Sequence, residues 1–508
     1  MPTSPAKPPA DTSRRIYERI RAQILDGTLR AGMPLPSTRA MALDLAVSRT
    51  TITTVYEQLA AEGYVETSLG RRARVAAGAA HADVNPRPAM AAPDAVLRLS
   101  AYGKKVRGFL DKDGPQVFGA DPRVIDFLYG ALAFDDFPVL AWRKAYNRAL
   151  VQRQPSLYYQ APQGELALRV ALQGYLRRAR GLACHADQIL IVHGSQQAID
   201  LCARVLVDAD DTVLVEDPCY VMARRLFEAV GADVREVPVD EQGLLSEALP
   251  EERTRLVYVT PSHQFPLGGV MPIARRRALL AWAARQRAWI VEDDYDGEFR
   301  YGMRPVDTLQ SIDDSGAVIY VGTFSKALSP QMRMGYLVLP PSLVSVFREA
   351  KRLMDRHAPR LEQAALASLI EDGSYERHVR RCRRQNEARR VALLRALERH
   401  LPDAVQVAGS ASGLHVVVWV PGVAEADEPE LVSLARQHGV GVRPISPLYF
   451  KGEAHRSHCC AGLVLGYASL APAAIDEGVL RLARAIQTLR AGSTAAGISI
   501  DSSETRRA

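Results

Sequence analysis

The stretch YVGTFSKALSPQMR, Tyr320 to Arg333, decides the fold. Its β-branched and aromatic opening reads as a strand, which runs into Lys326, and Arg333 follows seven residues later. Upstream, Glu292-Asp293-Asp294-Tyr295 closes a second apolar stretch at 289–293, and Gly194-Ser195-Gln196 follows a third at 188–193. Further strand candidates lie at 212–216, 233–238, 256–260 and 334–339, with helical patterns at 196–207, 274–285 and 343–356 between most of them. This alternation predicts a mainly parallel sheet covered by helices on both faces. A smaller α/β unit follows, with strands near 413–419 and 462–466.

Loops at the carboxyl ends of such strands are where α/β sheets place ligands, and the residue types found there match one cofactor. Pyridoxal phosphate needs an amine for a Schiff base, a cradle for a dianionic phosphate, a carboxylate at its ring nitrogen, a donor to its phenolic oxygen and a ring to stack on. Lys326 offers the amine, which loses its proton more easily beside Arg333 and out of water. Ser195 and Gln196 open a helix whose N–H groups suit a phosphate, and Thr323, Ser325 and Arg333 complete that cradle. Asp293 suits the ring nitrogen, Tyr295 the phenolic oxygen and Tyr220 the stacking face. Taken singly these signals are weak: Gly-Ser-Gln is also an ordinary helix start, an acidic strand end is also a magnesium site or a solvated turn, and Tyr220 is also a core aromatic.

The chain does not begin as an enzyme. Ile16, Ile20, Ile24 and Leu25 fall at helical spacing before Asp26-Gly27; Ser37 caps a second helix with an apolar stripe of Met41, Leu43 and Leu45; Ser48 caps a third that Gly63 ends. Strand-like pieces at 64–67 and 72–75 flank Leu69-Gly70-Arg71, so three helices and a hairpin predict a winged helix-turn-helix. The third helix opens Ser48-Arg49-Thr50-Thr51-Ile52-Thr53, a face fit for base edges and phosphates, although a threonine run also serves as plain cap chemistry. Between Met1 and Ala80 stand 11 Lys and Arg against 7 Asp and Glu, with Arg71, Arg72 and Arg74 close together, as a phosphate-facing surface would have.

Bulk properties bound the rest. A length of 508 residues predicts two to four domains, and a net charge of +7 is too mild to establish nucleic-acid binding alone. No apolar run reaches the roughly 18 residues of a membrane helix, and the Met-Pro-Thr-Ser-Pro start lacks the basic-then-apolar order of a signal peptide, so a cytoplasmic protein is expected. Six cysteines without a C-x-x-C pair fit a reducing compartment. The run His455-Arg-Ser-His458-Cys459-Cys460 lacks a second ligand cluster, so no metal site is expected. Composition divides the chain into a disordered 1–12, a DNA-binding head at 13–76, a Pro- and Ala-rich linker at 77–122, a cofactor-binding body at 123–490 and a disordered tail at 491–508.

Leu-Pro-Ser-Thr-Arg39, Val47-Ser-Arg49-Thr-Thr-Ile, Tyr56-Glu-Gln-Leu and Glu62-Gly-Tyr-Val closely resemble the GntR-type winged helix of bacterial transcription regulators. The resemblance implies DNA contacts from Arg39, Ser48, Arg49, Thr50, Thr51 and Thr53, and from a wing of Gly70, Arg71 and Arg72. That wing departs from the usual Gly-Ser-Gly-Thr by being more basic. The body, with Thr260-Pro-Ser-His-Gln-Phe-Pro and Tyr158-Tyr159-Gln-Ala-Pro-Gln-Gly164, resembles fold-type-I aminotransferases, and the combination resembles the MocR subfamily. By that resemblance Lys326 forms the Schiff base, Asp293 and Tyr295 meet the ring, and Ser195, Gln196 and Arg333 hold the phosphate. Tyr159 then reaches the phosphate of a second subunit, which implies a homodimer.

Two departures bear on activity. Aminotransferases of this fold clamp the substrate carboxylate with the arginine of an Arg-Leu-Asn/Gly-Phe segment; here the segment is Val464-Leu465-Gly466-Tyr467. Losing that bidentate contact costs about 2–5 kcal/mol in binding and orientation. Arg443 is a candidate replacement for an effector's carboxylate and is equally readable as structural. Cys219 and Val221 stand where relatives favour Gly and Pro. The expectation is a regulator that binds operator DNA and senses pyridoxal phosphate, an amino compound or both; the alternative is a working aminotransferase with an appended DNA-binding module.

Overall fold

The computed structural model describes residues 10–68, 71–79, 98–110, 121, 123–153, 158–302, 307–450 and 460–504, with side chains to 491. The chain divides into two compact units, Met1–Arg98 and Leu99–Ala508.

The first unit holds helices Ala10–Leu25, Thr38–Asp44 and Arg49–Ala61 and the antiparallel pair Val65–Glu66 and Arg74–Val75. Ser37 and Ser48 cap the second and third helices as expected, accepting from the N–H groups of Ala40 and Thr51. Ile16, Ile20, Ile24, Leu35, Ile52, Val55, Leu59, Val65 and Val75 form one core. The expected stripe on the second helix is corrected. Ala42 is buried and Met41 and Leu45 pack on the core, whereas Leu43 is 76% exposed. At about 100° per residue, position 43 lies on the far side of the helix from 41 and 45.

The second unit is built on an eight-stranded sheet. From one edge to the other its strands are Ile189–Val192, Gly335–Val338, Val318–Thr323, Trp289–Asp294, Leu256–Val259, Thr212–Asp217, Asp233–Asp240 and Gly243–Leu244. Gly335–Val338 is antiparallel to both its neighbours, Gly243–Leu244 is antiparallel to Asp233–Asp240, and the central pairs are parallel. Alternate residues sort to opposite faces: Ile189, Ile191, Tyr320, Tyr336 and Val338 join one core, Leu190, Val192, Ile319, Val321 and Leu337 another. The smaller subdomain has an antiparallel sheet in the order Gln406–Ala408, His415–Ala424, Cys460–Gly466, Arg443–Pro444, and its core takes in apolar residues of helices Ser374–His400 and Pro472–Glu504.

Two boundaries differ from expectation. Helix Ala101–Leu110 forms inside the stretch expected to be linker, with the Arg204 guanidinium 5.0 Å from the Tyr102 ring and Arg225 5.4 Å from Phe109. The last helix backbone runs to Glu504, across most of the stretch expected to be a disordered tail. Gly70, most of the expected linker and the His455–Cys459 run lie outside the described residues. Among the described residues no group of His, Cys, Asp and Glu could hold a metal ion, and no helix is long and apolar enough to cross a membrane.

Candidate functional site

Strand Val318–Thr323 delivers Lys326 to the carboxyl-end side of the large sheet, into a cavity of about 180 Å³. Of the residues named from sequence, Ser195, Tyr220, Asp293, Tyr295, Thr323, Ser325, Lys326 and Arg333 all line it. They come from four strand ends spread over 139 positions, Ser195 to Arg333, and the parallel sheet brings those ends into one row. Two glycines leave room for the site's cationic side chains: a Cβ at Gly130 would sit 2.9 Å from Lys326 Nζ, and one at Gly194 would sit 3.0 Å from Arg333 Nη2.

Burial pushes the Lys326 ammonium below its usual range, against the opposing pull of Asp296 and Asp293. A buried amine that gives up its proton readily is a nucleophile. Asp293 is also buried, and burial pushes its carboxyl up to about 7. Its Oδ2 accepts from Tyr258 Oη at 2.6 Å, while its Oδ1 is buried without a hydrogen-bond partner. An orphaned buried acceptor costs about 1–3 kcal/mol, and a protonated ring nitrogen in the cavity would satisfy it.

The phosphate end is equally specific. Helix Gly194–Leu206 starts there, and Arg333, with φ of +47°, lays its guanidinium over Gly194 while Nη2 donates to the His193 carbonyl at 3.0 Å. Thr323 Oγ1 accepts from the Ser325 N–H at 3.1 Å, which fixes the turn before the lysine. Gln196 does not line the cavity; its Oε1 accepts from Tyr220 Oη at 3.1 Å and so orients the stacking candidate. The residues present therefore fit pyridoxal phosphate: an amine, an unpaired buried carboxylate oxygen and a helix start beside an arginine.

Three further residues named from sequence are placed as follows. Tyr295 Oη lies 2.8 Å from His263 Nδ1, which is itself 2.8 Å from Asp296 Oδ2, so this hydroxyl is held by a buried histidine rather than aimed free into the cavity. Tyr159 does not line its own chain's cavity; it is exposed, with Arg356 4.5 Å from its ring centroid. Arg443 does not line it either, and donates from Nη1 and Nη2 to Asp126 at 3.2 and 3.1 Å. Val464 is fully buried, packs with Phe265, Val417 and Trp419, and is the cross-strand partner of Arg443. Sequence reasoning missed Tyr129, Tyr258, Asp296, Leu414 and His415, all lining residues, because their side chains carry no signal until the strands are in register, and it quoted Phe265 only within a motif, without a role. Cys219 is buried, and Val221 packs against the Val464 cluster.

In the head, Arg39, Ser48, Arg49, Thr50, Arg71 and Arg72 are exposed, and Thr53, Arg71 and Arg72 share a groove with Ser37, Thr38 and Thr67. Thr51 is the correction. It is 5% exposed, and its Oγ1 lies 2.7 Å from Ser48 Oγ, so it serves the cap and the core and cannot face DNA. Ser48 is committed to the same cap, while Arg49 Nε reaches Thr38 Oγ1 at 3.4 Å and ties the second and third helices together.

A winged helix-turn-helix followed by an aminotransferase-type body defines the class as a two-part regulator. Residues 12–75 match the family described as bacterial regulatory proteins, gntR family, and residues 122–464 match aminotransferase class I and II. The chain is 36% identical to the probable rhizopine catabolism regulatory protein MocR of Rhizobium meliloti, over 94% of each chain. It is 32% identical to the pyridoxine biosynthesis transcriptional regulator PdxR of Corynebacterium glutamicum, over 93% of this chain and 94% of that one. The α-aminoadipate aminotransferase LysN of Thermus thermophilus superposes with a TM-score of 0.66 at 30% identity, over 78% of this chain and 96% of that one. The chain belongs to the MocR subfamily of GntR-type transcription regulators.

Proposed function

We propose that this regulator senses pyridoxal phosphate, alone or with an amino compound, through its aminotransferase-like body and passes the result to its DNA-binding head. The observation that carries this reading is a contrast between neighbouring positions: the cofactor groups are assembled around Lys326, whereas the position of the substrate clamp holds buried Val464. Bound there, pyridoxal phosphate supplies an aldehyde carbon open to amines. Lys326 would offer its amine to that carbon, Asp293 would keep the ring nitrogen protonated, Tyr220 would stack on the ring, and Ser195, Thr323, Ser325 and Arg333 would hold the phosphate. Arg443 is the candidate anchor for an effector's acidic group, which would have to displace Asp126. Exposed Tyr159 fits a role at the phosphate of a second copy, in a cytoplasmic homodimer bound to operator DNA.

Purified protein incubated with pyridoxal phosphate, a pool of amino acids and a keto acid tests the reading. A cofactor spectrum that shifts on amine addition without keto-acid conversion supports a sensor; sustained multiple turnovers identify an aminotransferase and sink it.

A further inference from the structure

A charged cluster built on a fully buried lysine adjoins the phosphate end of the cavity, with Asp355 and His193 partly exposed. Lys351 is fully buried on helix Val344–Asp355, and its Nζ lies 2.5 Å from Asp355 Oδ1 one turn later. The other oxygen, Asp355 Oδ2, accepts from Gln197 Nε2 at 2.6 Å and lies 3.3 Å from His193 Nε2. Gln197 in turn accepts the His193 backbone N–H on its Oε1 at 2.8 Å. His193 is the residue immediately before Gly194, and its carbonyl is the acceptor that fixes Arg333.

His193 is therefore held on three sides: ring by Asp355, N–H by Gln197, and carbonyl by Arg333. The first turn of helix Gly194–Leu206 cannot rotate without breaking these contacts. Burial opposes ionisation of Asp355, but the Gln197 and Lys351 contacts outweigh it and hold the carboxyl below its usual range. Burial, then Lys351, pushes the His193 ring below its usual range, against the opposing pull of Asp355. A lysine with no exposed surface needs its carboxylate, but a bare ion pair would not need Gln197 and His193 on the second oxygen. That second oxygen points the network at the phosphate cradle.

We propose that Asp355 is a positioning residue for the phosphate end of the cofactor site, with Lys351 fixing the carboxylate and Gln197 and His193 relaying its position to Gly194 and Arg333. The inference rests on the cofactor reading above. Its distinguishing consequence is that Asp355 matters to ligands that carry a phosphate and not to those that lack one.

The experiment is titration of the full-length protein with pyridoxal phosphate and, separately, with pyridoxal, read by the visible absorbance of the bound ligand. Asp355→Asn is expected to weaken pyridoxal phosphate about tenfold or more while changing pyridoxal by no more than about twofold. Equal weakening of both ligands marks a general structural role and overturns the proposal, as does unchanged affinity for both. Gln197→Ala leaves the Lys351–Asp355 pair intact and decides the matter if Asp355→Asn does not fold: a phosphate-selective loss supports the relay, and unchanged pyridoxal phosphate affinity refutes it. Failure of the wild-type protein to bind pyridoxal phosphate overturns the cofactor reading itself, whereas wild-type binding with an unselective Asp355→Asn overturns only the positioning role.

Discussion

The cofactor cavity and the neighbouring clamp position differ in what the fold has kept. Around Lys326 the polar groups are paired or poised for a ligand: Asp293 with one oxygen bonded to Tyr258 and one open, Arg333 anchored on His193 with the rest of its guanidinium over Gly194. At the clamp end, Val464 is sealed into an apolar cluster and its cross-strand neighbour Arg443 is already occupied by Asp126. Cofactor binding and substrate anchoring are thus separable in this fold. On the reading proposed above, a body with groups fit for the cofactor and valine at the clamp position suits recognition of cofactor better than repeated turnover.

The sharpest way to break the comparison is at the lysine. Lys326→Ala should abolish both the visible cofactor band and the product fixed by borohydride, measured on the full chain; retention of a reducible adduct would place the amine elsewhere. Next in size, Arg333→Ala and Asp293→Ala should each weaken pyridoxal phosphate by about 2–3 kcal/mol through loss of a charge-assisted contact, measured by titration. At the other end the changes should be smaller and opposite in sign. Asp126→Asn frees Arg443 and should tighten acidic amino compounds by severalfold, while Arg443→Ala should weaken them; no response to either change would make the pair purely structural.

Asp293 also makes the cofactor-free protein sensitive to pH. Burial raises its carboxyl from 3.8 to about 7, so the folded state holds a proton that the unfolded state releases. The resulting stability is fully present below the unfolded value and is lost as pH rises through about 7, with Glu216 and Glu292, also pushed up to about 7 by burial, adding to the same slope. Thermal unfolding of the cofactor-free protein should show melting temperature falling between about pH 4 and pH 7, and Asp293→Asn should flatten that fall. In the head, Thr51→Ala should cost about 1 kcal/mol of stability through the shared cap, with no loss of operator specificity. Arg49→Ala should weaken specific binding most, and Arg71→Ala should lower affinity on all DNA and flatten its salt dependence.

Much of this was legible in the chain because local chemistry and strand ends coincide. The helix caps Ser37 and Ser48, the alternation of strands and helices, and the Lys326, Asp293 and Arg333 set each sit where residue type and spacing place them. What stayed hidden depends on register or on helix phase. Tyr258 bonds Asp293 only because neighbouring parallel strands align them; Asp126 reaches Arg443 across 317 positions; and Thr51 turns inward by one helical step from Thr50. Helix Ala101–Leu110 was lost among the Pro and Ala of its surroundings, although Tyr102 and Val106 already stood one turn apart. The Lys351–Asp355 pair has helical spacing too, but nothing in sequence showed that its second oxygen meets Gln197 and His193.

The central claim is that cofactor on Lys326 is read out on DNA. Operator affinity of the full-length protein, measured with and without pyridoxal phosphate for the wild type and for Lys326→Ala, tests it most directly. The cofactor should shift wild-type affinity and leave Lys326→Ala unmoved; an equal response in both proteins, or none in the wild type, would contradict the claim.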